Sequence, residues 1–329
     1  MAAKRNSKKS SAFHLPQWLI PAFVTIGIIF TVLLFAEDVP KSPSDFLEDF
    51  INTIDQLLYG GPTSPDPTLP GKGEAKVYIL DVGQGESILI ATSEKTMLID
   101  AGENDKGDEI LDFIEKLGLD HIDYMLATHP HSDHIGGMDT VLNSIPVGEV
   151  LFGDVPDSMI PTTKTYSDVL EALESNNVPL SLTKAGDSYD LGSGAVITIL
   201  GPLTQEVEKL NNTSVVCRLD FGETSFLFNG DQEKEMEALL VENQAALNCD
   251  MMTMGHHGSS TSSTPMYLDA VDPQYAAISC GRGNIHGHPH QKILDILEDY
   301  GVEYYRTDLS GNITFSTNGH KITVHPQKL

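Results

Sequence analysis

The spacing of hydrophobic residues separates an N-terminal segment from a longer alternating region. From residue 75 onward, short apolar runs alternate with segments whose apolar residues recur at helical spacing. The runs predict strands at 76–82, 86–91, 96–100, 123–128, 148–152, 196–200, 214–220, 224–229, 250–254, 275–279, 302–305 and, in pieces, 312–324. Helical spacing predicts helices at 107–117, 134–142, 165–176, 233–246, 264–271 and 290–300. Early strands come in hairpin-like sets and later ones alternate with helices, which predicts an α/β (α+β) domain over 75–329 with mixed sheets covered by helices.

The N-terminal segment carries a membrane pattern. Residues 1–17 are basic and polar, and 18–36 contain no charged residue. A helix over 18–36 would span roughly 28 Å, about one hydrocarbon core. The basic residues predict a cytoplasmic tail and an extracellular domain; they are Lys4, Arg5, Lys8 and Lys9. Because the apolar run ends in "LFA", a poor cleavage site, a single-pass anchor is favoured over a cleaved signal, which would give a secreted protein.

Residues 37–74 are predicted to connect the anchor to the folded domain. The stretch "SDFLEDFINTIDQLLY", residues 44–59, places apolar residues on one helical face, and Ser44 or Asp45 could cap it. The following "GGPTSPDPTLPGKGE" is rich in proline and glycine, as is typical of a linker. The connector is therefore a linker that contains a short amphipathic helix.

Charge and cysteine content narrow the possible functions. The chain has 47 acidic and 20 basic residues, a formal net charge of −27. Such a field repels DNA at long range, so a DNA substrate would require a local basic patch or bound cations. The three cysteines, Cys217, Cys249 and Cys280, are widely spaced, which fits neither a disulfide framework nor a zinc knuckle. Buried thiols are the simpler interpretation.

The stretch "ATHPHSDHIGGM", residues 127–138, concentrates metal-ligand residue types after an apolar strand. On an extended backbone, His129 and His131 point the same way. Asp133 and His134 then fall in the first turn of a helix. The arrangement suits two divalent ions, one held by the first pair and one by the second. The alternative, solvated loop residues and helix caps, explains a lone histidine better than four such residues together.

Other strand ends supply further candidates. Asp231 follows an apolar strand and suits a bridging carboxylate, although Asp is also a common helix N-cap. His256 and His257 follow another strand; one would bind metal and the other could contact substrate, and the spacing does not decide between them. Asp100 ends the strand in "LIDAG" and could hold a ligand histidine by its ring N–H.

At this point the chain resembles a known family. "THPHSDHIGG" is similar to the His-x-His-x-Asp-His motif of metallo-β-lactamase-fold hydrolases. The segments "ILDVGQGESILI", "LIDAG", "NNTSVVCRLDFGETSFLFNGD", "GHHGSSTSS", "NIHGHPHQKIL" and "YRTDLSGNI" follow the order of the hydrolase domain of ComEC-type competence proteins. The resemblance covers about residues 75–325. It implies an αββα metallo-β-lactamase sandwich with a two-metal site at one edge and hydrolysis of phosphodiesters, including DNA. Its motif positions map onto His129, His131, Asp133, His134, Asp231 and one of His256 and His257.

Two departures from this family pattern matter. Between His134 and Asp231 there is no histidine, whereas the fold usually supplies one there. Asn211 or Asn212 lies in that interval, and an amide oxygen is a harder ligand than imidazole. The expected cofactors are therefore two divalent ions, Zn²⁺ or Mn²⁺, and the first site is expected either to favour Mn²⁺ or to bind its metal weakly. The many-helix channel domain of the family has no counterpart here, so DNA transport is not implied.

Several residues near the motifs could assist the reaction. His288, in "GHP", matches the family pattern and could protonate the leaving oxygen or bind phosphate; the alternative is a loop hydrogen bond. Asp133 is the second catalytic candidate. Substrate or supporting roles are also assigned to Asp81, Ser259 and Arg282, against the alternatives of a tight turn, a helix cap and a surface salt bridge. Ser260, His286, His290 and Asp308 are weaker candidates of the same kind.

These observations predict a membrane-anchored extracellular hydrolase. The expected activity is that of a phosphodiesterase or nuclease acting through a metal-activated hydroxide. Two alternatives remain: hydrolysis of another ester (a choline phosphate ester, a wall polymer or a lactone) and a non-catalytic surface binding domain. The sequence predicts a phosphodiester substrate and a membrane contact through 18–36, and it points to no protein partner.

Overall fold

The computed structural model describes residues 67–328. The predicted tail, membrane anchor and amphipathic helix lie outside the described residues. Within 67–328, none of the helices combines the length and apolar character that crossing a membrane requires.

The described residues form fifteen strands and eight α-helices. The strands are β1 (Ala75–Ile79), β2 (Ile88–Thr92), β3 (Thr96–Ile99), β4 (Ile122–Ala127), β5 (Val147–Gly153), β6 (Leu180–Thr183), β7 (Ser188–Asp190), β8 (Ala195–Gly201), β9 (Val216–Phe221), β10 (Thr224–Phe228), β11 (Met251–Thr253), β12 (Tyr275–Ile278), β13 (Glu303–Arg306), β14 (Ile313–Thr317) and β15 (Ile322–Pro326). The helices are α1 (Gly107–Lys116), α2 (Ser132–Ile135), α3 (Met138–Ser144), α4 (Lys164–Asn176), α5 (Lys234–Glu242), α6 (Pro265–Val271), α7 (Gln291–Tyr300) and α8 (Thr307–Ser310).

The strands build two mixed sheets. One has eight strands in the order β15-β14-β1-β2-β3-β4-β5-β6, and the other has seven in the order β13-β12-β11-β10-β9-β8-β7. Both faces of the eight-stranded sheet are covered, as two successive residues of β2 show. Ile90 belongs to the core between the sheets, whereas Leu89 packs under the helices, and both residues are fully buried. Helices cover the outer face of each sheet, as Ile110 of α1 and Leu297 of α7 show. The layers are therefore helix, sheet, sheet and helix, as the sequence predicts.

The structure differs from the predicted elements at three places, one of which is the short helix α8, which was not predicted. The predicted helix 134–142 is divided into α2 and α3 at Gly136 and Gly137. A Cβ on Gly136 would lie 2.3 Å from the Asn104 nitrogen, and one on Gly137 would lie 2.5 Å from the Ala101 oxygen, so this turn packs directly against backbone. Strands β6 and β7 were not predicted, because these short edge strands are largely exposed and carry few apolar residues.

The topology brings several loops to one edge of the sandwich. β3 runs parallel to β4, and β10, β11 and β12 run parallel to one another. Loops that follow parallel strands emerge at the same edge of a sheet. The segments after β3, β4, β10, β11 and β12 contain most of the predicted site residues, whereas Asp81 follows β1 and Asn211 and Asn212 lie between β8 and β9.

Candidate metal centre

Asp100 organises the back of the site. It follows β3 with a positive φ of 55° and is fully buried. Its carboxylate accepts hydrogen bonds from the Thr128 backbone nitrogen at 2.8 Å, from the Thr128 hydroxyl at 2.6 Å and from His134 Nδ1 at 2.7 Å. The last contact places the proton on His134 Nδ1 and turns Nε2 toward the centre, the supporting role that the sequence predicts for Asp100.

Thr128 orients a second imidazole in the same way. Its hydroxyl donates to Asp100 and therefore accepts from His129 Nδ1, which lies 3.2 Å away. His129 Nε2 is left facing Asp231 Oδ2 at 3.8 Å and His131 Nδ1 at 2.9 Å. His131 has an extended backbone, as the spacing requires. His129, His131 and Asp231 thus form the first ligand group.

The second ligand group uses the other oxygen of Asp231. Its Oδ1 lies 3.3 Å from His134 Nε2 and 3.5 Å from His257 Nε2. His257 Nε2 is also 3.3 Å from Asp133 Oδ2, while its Nδ1 donates to the Ser279 carbonyl oxygen at 3.0 Å. The group is Asp133, His134, Asp231 and His257, so Asp231 is shared by both groups.

Unsatisfied atoms test whether these residues suit a metal. His134 Nε2, His257 Nε2 and Asp231 Oδ1 are buried without a hydrogen-bond partner among the described residues. Buried polar atoms normally have partners, since leaving them unpaired costs free energy. A divalent cation would satisfy all three atoms at once, and imidazole nitrogens with carboxylate oxygens are the ligands that zinc and manganese accept. The donor set therefore fits a metal.

The electrostatics of the two groups differ. Burial opposes ionisation of Asp231, but the charges of His257 and His134 outweigh it and hold its pKa well below the ordinary value. Burial also opposes protonation of His134 and His257, yet Asp231 and its neighbouring carboxylates raise the pKa of both imidazoles. In the first group burial prevails, and the pKa values of His129 and His131 fall.

Comparison with known proteins identifies the fold family. The metallo-β-lactamase superfamily profile matches residues 80–282, well over half of the chain. The chain belongs to the metallo-β-lactamase superfamily. It is similar to ComE operon protein 3 of Bacillus subtilis, with 28% identity over 267 residues that cover 76% of this chain and 34% of that protein. Competence protein ComA of Neisseria gonorrhoeae is 30% identical over 261 residues, covering 79% and 35% of the respective chains.

These relatives confirm the resemblance to the hydrolase domain of ComEC-type competence proteins. The chain spans about a third of the length of the relatives it matches. The metallo-β-lactamase fold protein YhfI from Bacillus subtilis aligns over 74% of this chain and all of its own, with 13% identity and a TM-score of 0.49. The superfamily assignment rests on the sequence profile and the two-sheet architecture, not on that alignment.

In this member of the metallo-β-lactamase superfamily, the adjacent residues His256 and His257 have different surroundings. His257 belongs to the second ligand group, whereas His256 is partly exposed, with Nε2 3.7 Å from Asp231 Oδ2. Both have positive φ, so the backbone turns sharply between them and sends the rings apart. His256 also lies 3.1 Å from the Thr261 hydroxyl and 3.4 Å from the Asn211 amide nitrogen.

Asn211 and Asn212, which lie in the stretch without histidine between His134 and Asp231, have different contacts. Asn212 Oδ1 accepts a hydrogen bond from the Glu233 backbone nitrogen at 2.8 Å, at the start of α5. Asn211 Nδ2 donates to Glu233 Oε1 at 3.3 Å and faces His256. Asn211 is thus beside His256, the partly exposed histidine of the site, and we call this side of the site its open side. Asn212 accepts the hydrogen bond that caps the start of α5.

His288 lies above the two adjacent histidines. Its ring centroid is 5.4 Å from that of His256 and 6.2 Å from that of His257. Its Nδ1 is buried without a hydrogen-bond partner among the described residues. Burial, with the charges of nearby histidines, lowers its pKa to about 4. His288 is therefore neutral at neutral pH, and an incoming anion would raise its proton affinity.

The remaining predicted residues belong to neither ligand group. Ser259 is buried, with Oγ 3.1 Å from the Thr261 hydroxyl, and Arg282 is exposed on the loop that leads to His288. The Asp81 backbone nitrogen donates to Asn312 Oδ1 at 2.7 Å, and its carboxylate accepts from Gly83 at 3.3 Å, which holds a turn outside both ligand groups.

Three weaker candidates also have clear positions. His290 Nδ1 accepts a hydrogen bond from the Ser260 backbone nitrogen at 2.9 Å. The His286 ring stacks on His288 with a centroid distance of 5.5 Å. Asp308 pairs with Arg306 at 2.7 Å instead of reaching the centre.

Glu86 is a site residue that sequence reasoning missed. It is buried beside Asp100 and His134, with one carboxyl oxygen in a cluster with theirs, and its backbone nitrogen donates to the Asp133 oxygen at 3.1 Å. Burial and the nearby charge of Asp100 raise its pKa to about 7. The available signal was an acidic residue two positions before the fully buried β2, a position where burial of a carboxyl group is unusual.

Gly85 brings the Glu86 turn against Asp133 of the second ligand group. Its φ is +143°, and a Cβ there would lie 2.5 Å from the Asp133 carbonyl oxygen. We expect Gly85→Ala to lower the free energy of unfolding by about 2–4 kcal/mol and to weaken metal binding, because the Asp133 segment must move. Urea denaturation measures the first effect and metal titration the second.

The matched control is Gly73→Ala. Gly73 also has positive φ (+81°), but nothing lies within 4 Å of the new Cβ, so only the backbone cost of about 1 kcal/mol is expected. An equal decrease in the free energy of unfolding of the two variants would contradict the close contact between Gly85 and Asp133.

Proposed function

We propose that the protein is a membrane-anchored extracellular phosphodiesterase, most simply a nuclease, that works with two divalent ions, Zn²⁺ or Mn²⁺. The observation that carries the proposal is Asp231, whose buried carboxylate faces a different set of ligand residues with each oxygen. Superfamily membership supports metal-dependent hydrolysis, and the competence relatives support a nucleic-acid or phosphoester substrate. The anchor in this proposal is the segment 18–36.

The ligand groups define which residues would hold each ion. His129 and His131 would hold one, Asp133, His134 and His257 would hold the other, and Asp231 would bridge them. Bound divalent ions would supply a nucleophile at neutral pH by lowering the pKa of water. Asp100 and Thr128 keep the His134 and His129 rings in the tautomers that coordination requires.

His256 and His288, on the open side of the site, would bind the substrate. His256 and His288 lie 5.4 Å apart between ring centroids, and His256 Nε2 is 3.7 Å from Asp231 Oδ2. A phosphate there would accept hydrogen bonds from both rings and raise their pKa values. His288, once protonated, would return a proton to the leaving oxygen.

A second candidate is hydrolysis of another ester, such as a choline phosphate ester, a wall polymer or a lactone. The net charge of −27 favours it, because a strongly acidic protein attracts a long polyanion poorly. A non-catalytic binding domain is a third candidate, and the intact motif positions argue against it. A substrate panel of single-stranded DNA, bis-p-nitrophenyl phosphate and a lactone separates the three.

Metal depletion tests the proposed function directly. We expect exhaustive chelation to abolish hydrolysis of bis-p-nitrophenyl phosphate and re-addition of Mn²⁺ or Zn²⁺ to restore it. His131→Ala should remain inactive after re-addition, because the first group loses a ligand. The control is His325→Ala, an exposed histidine on β15 outside both groups. Full activity after chelation, or an active His131→Ala protein, would contradict the proposal.

A further inference from the structure

One asparagine connects the two ends of the loop that carries His288. This loop, residues 281–288, lies between β12 and α7, and we call it the His288 loop. The Asn284 amide nitrogen donates to the His288 carbonyl oxygen at 2.6 Å and to the Gly281 carbonyl oxygen at 2.9 Å. The Asn284 amide oxygen accepts from the His288 backbone nitrogen at 3.0 Å. A single side chain therefore binds the first and the last residue of the loop.

Packing contributes little to the shape of the His288 loop. Every residue from 282 to 287 is exposed except Asn284, which is partly buried. Gly283 and Gly287 have positive φ angles of +65° and +72°, and a Cβ on either would meet nothing within 4 Å. A segment with few buried contacts keeps one conformation only where hydrogen bonds hold it. The hydrogen bonds of Asn284 are therefore the main restraint on the middle of this loop.

The rest of the domain fixes the two ends of the loop. The Gly281 backbone nitrogen donates to Gln84 Oε1 at 3.2 Å. Just beyond the other end, the His290 backbone nitrogen donates to the Gly258 carbonyl oxygen at 3.0 Å, and Gly258 directly follows a ligand histidine. With both ends anchored beside the site, the conformation between them decides where the His288 ring lies.

The His288 ring is positioned through its backbone. Its Nδ1 has no hydrogen-bond partner among the described residues, so this atom does not fix the ring. The Asn284 amide instead pairs with both the nitrogen and the carbonyl oxygen of His288, as a neighbouring strand would. With the backbone held, only the side-chain torsions remain to place the ring, whose centroid lies 5.4 Å from that of His256.

We propose that Asn284 is a positioning residue that holds the His288 ring beside the leaving oxygen of the substrate. The inference rests on the proposed function, in which His288 returns a proton to that oxygen. As the P–O bond breaks, its electron pair stays on the leaving oxygen, which takes the ring proton, and the ring then regains a proton from water. Proton transfer requires hydrogen-bond distance, so a small displacement of the ring slows it while the metal ligands stay in place.

Two esters of similar shape test this role in the full-length, metal-loaded protein. The p-nitrophenolate that leaves bis-p-nitrophenyl phosphate is a weak base and needs little help from an acid, whereas the phenolate that leaves diphenyl phosphate is a stronger base and gains from protonation. For Asn284→Ala we expect kcat to fall about tenfold on diphenyl phosphate and less than about twofold on the nitrophenyl ester. His288→Ala should lower kcat on diphenyl phosphate by about 100-fold.

A double-mutant cycle separates positioning from a general loss of structure. In the His288→Ala protein, adding Asn284→Ala should cause no further loss on diphenyl phosphate, because the ring that Asn284 positions is gone. The matched control is Asn318→Ala. Asn318 is exposed in the turn between β14 and β15, and its Oδ1 accepts from the backbone nitrogens of His320 and Lys321, each at 3.1 Å. It braces a loop in a similar way, and its removal should change neither rate.

The outcomes distinguish this inference from the proposed function. A selective loss on diphenyl phosphate in Asn284→Ala that disappears in the His288→Ala background would support it. Equal losses on the two esters, multiplying losses in the double variant, or loss of bound metal from Asn284→Ala by mass spectrometry would overturn it, while turnover by the unsubstituted protein would leave the proposed function standing. If the unsubstituted protein hydrolyses neither ester, the proposed function is wrong and the inference falls with it.

Discussion

Asp231→Asn is expected to reduce kcat/KM on bis-p-nitrophenyl phosphate by at least about 10³-fold and to remove at least one bound divalent ion per chain. The carboxylate is buried, and among the described residues Asp231 is the only one shared by the first and second ligand groups. An asparagine has the same shape but keeps only one good acceptor oxygen and no negative charge. It therefore cannot bridge two cations.

Metal content measured by mass spectrometry, together with the steady-state rate, checks this expectation. Asp220→Asn is the matched control, because Asp220 is a half-exposed strand residue that pairs with Arg218 at 2.8 Å. A surface ion pair contributes little, so this variant should keep both its metal and its rate. Retention of two ions by Asp231→Asn would show that the two groups are independent sites and that Asp231 does not bridge them.

The arrangement of the first four candidate ligands follows from local geometry. His129 and His131 are two residues apart on extended backbone, and Asp133 and His134 follow within the first turn of α2. No long-range contact is needed to make these side chains converge. Predicting Asp231 and Asp100 required one more assumption, that the ends of the strands gather at one edge. The parallel pairing of β3 with β4 and of β10 with β11 agrees with that assumption.

Residues whose role depends on tertiary contacts were not predictable. Sequence spacing could not distinguish His256 from His257, since their positive φ angles, and not their order, aim the two rings. Glu86 was missed because hydrophobic periodicity assigns a charged residue to the surface, whereas here it is buried behind Asp100. Strands β6 and β7 were missed because edge strands need little apolar surface.

We expect the two ligand groups to bind metal with different pH dependences. In the metal-free protein, carboxylates raise the pKa of His134 and His257, so these imidazoles keep their protons to a higher pH than an ordinary histidine, and a metal must displace those protons. Burial lowers the pKa of His129 and His131, which are already neutral. Affinity of the second group should therefore rise with pH by up to about 100-fold per unit, and that of the first should change little.

Single-site variants isolate the two groups. His131→Ala removes a ligand from the first group and leaves the second, whereas His257→Ala does the converse. Isothermal titration with Zn²⁺, at one pH in two buffers of different ionisation enthalpy, counts the protons released. We expect up to about two protons per ion for His131→Ala and nearly none for His257→Ala. Equal proton release by the two variants would mean that the carboxylates do not raise the pKa of His134 and His257 above that of His129 and His131. That result would contradict the electrostatic difference between the two groups.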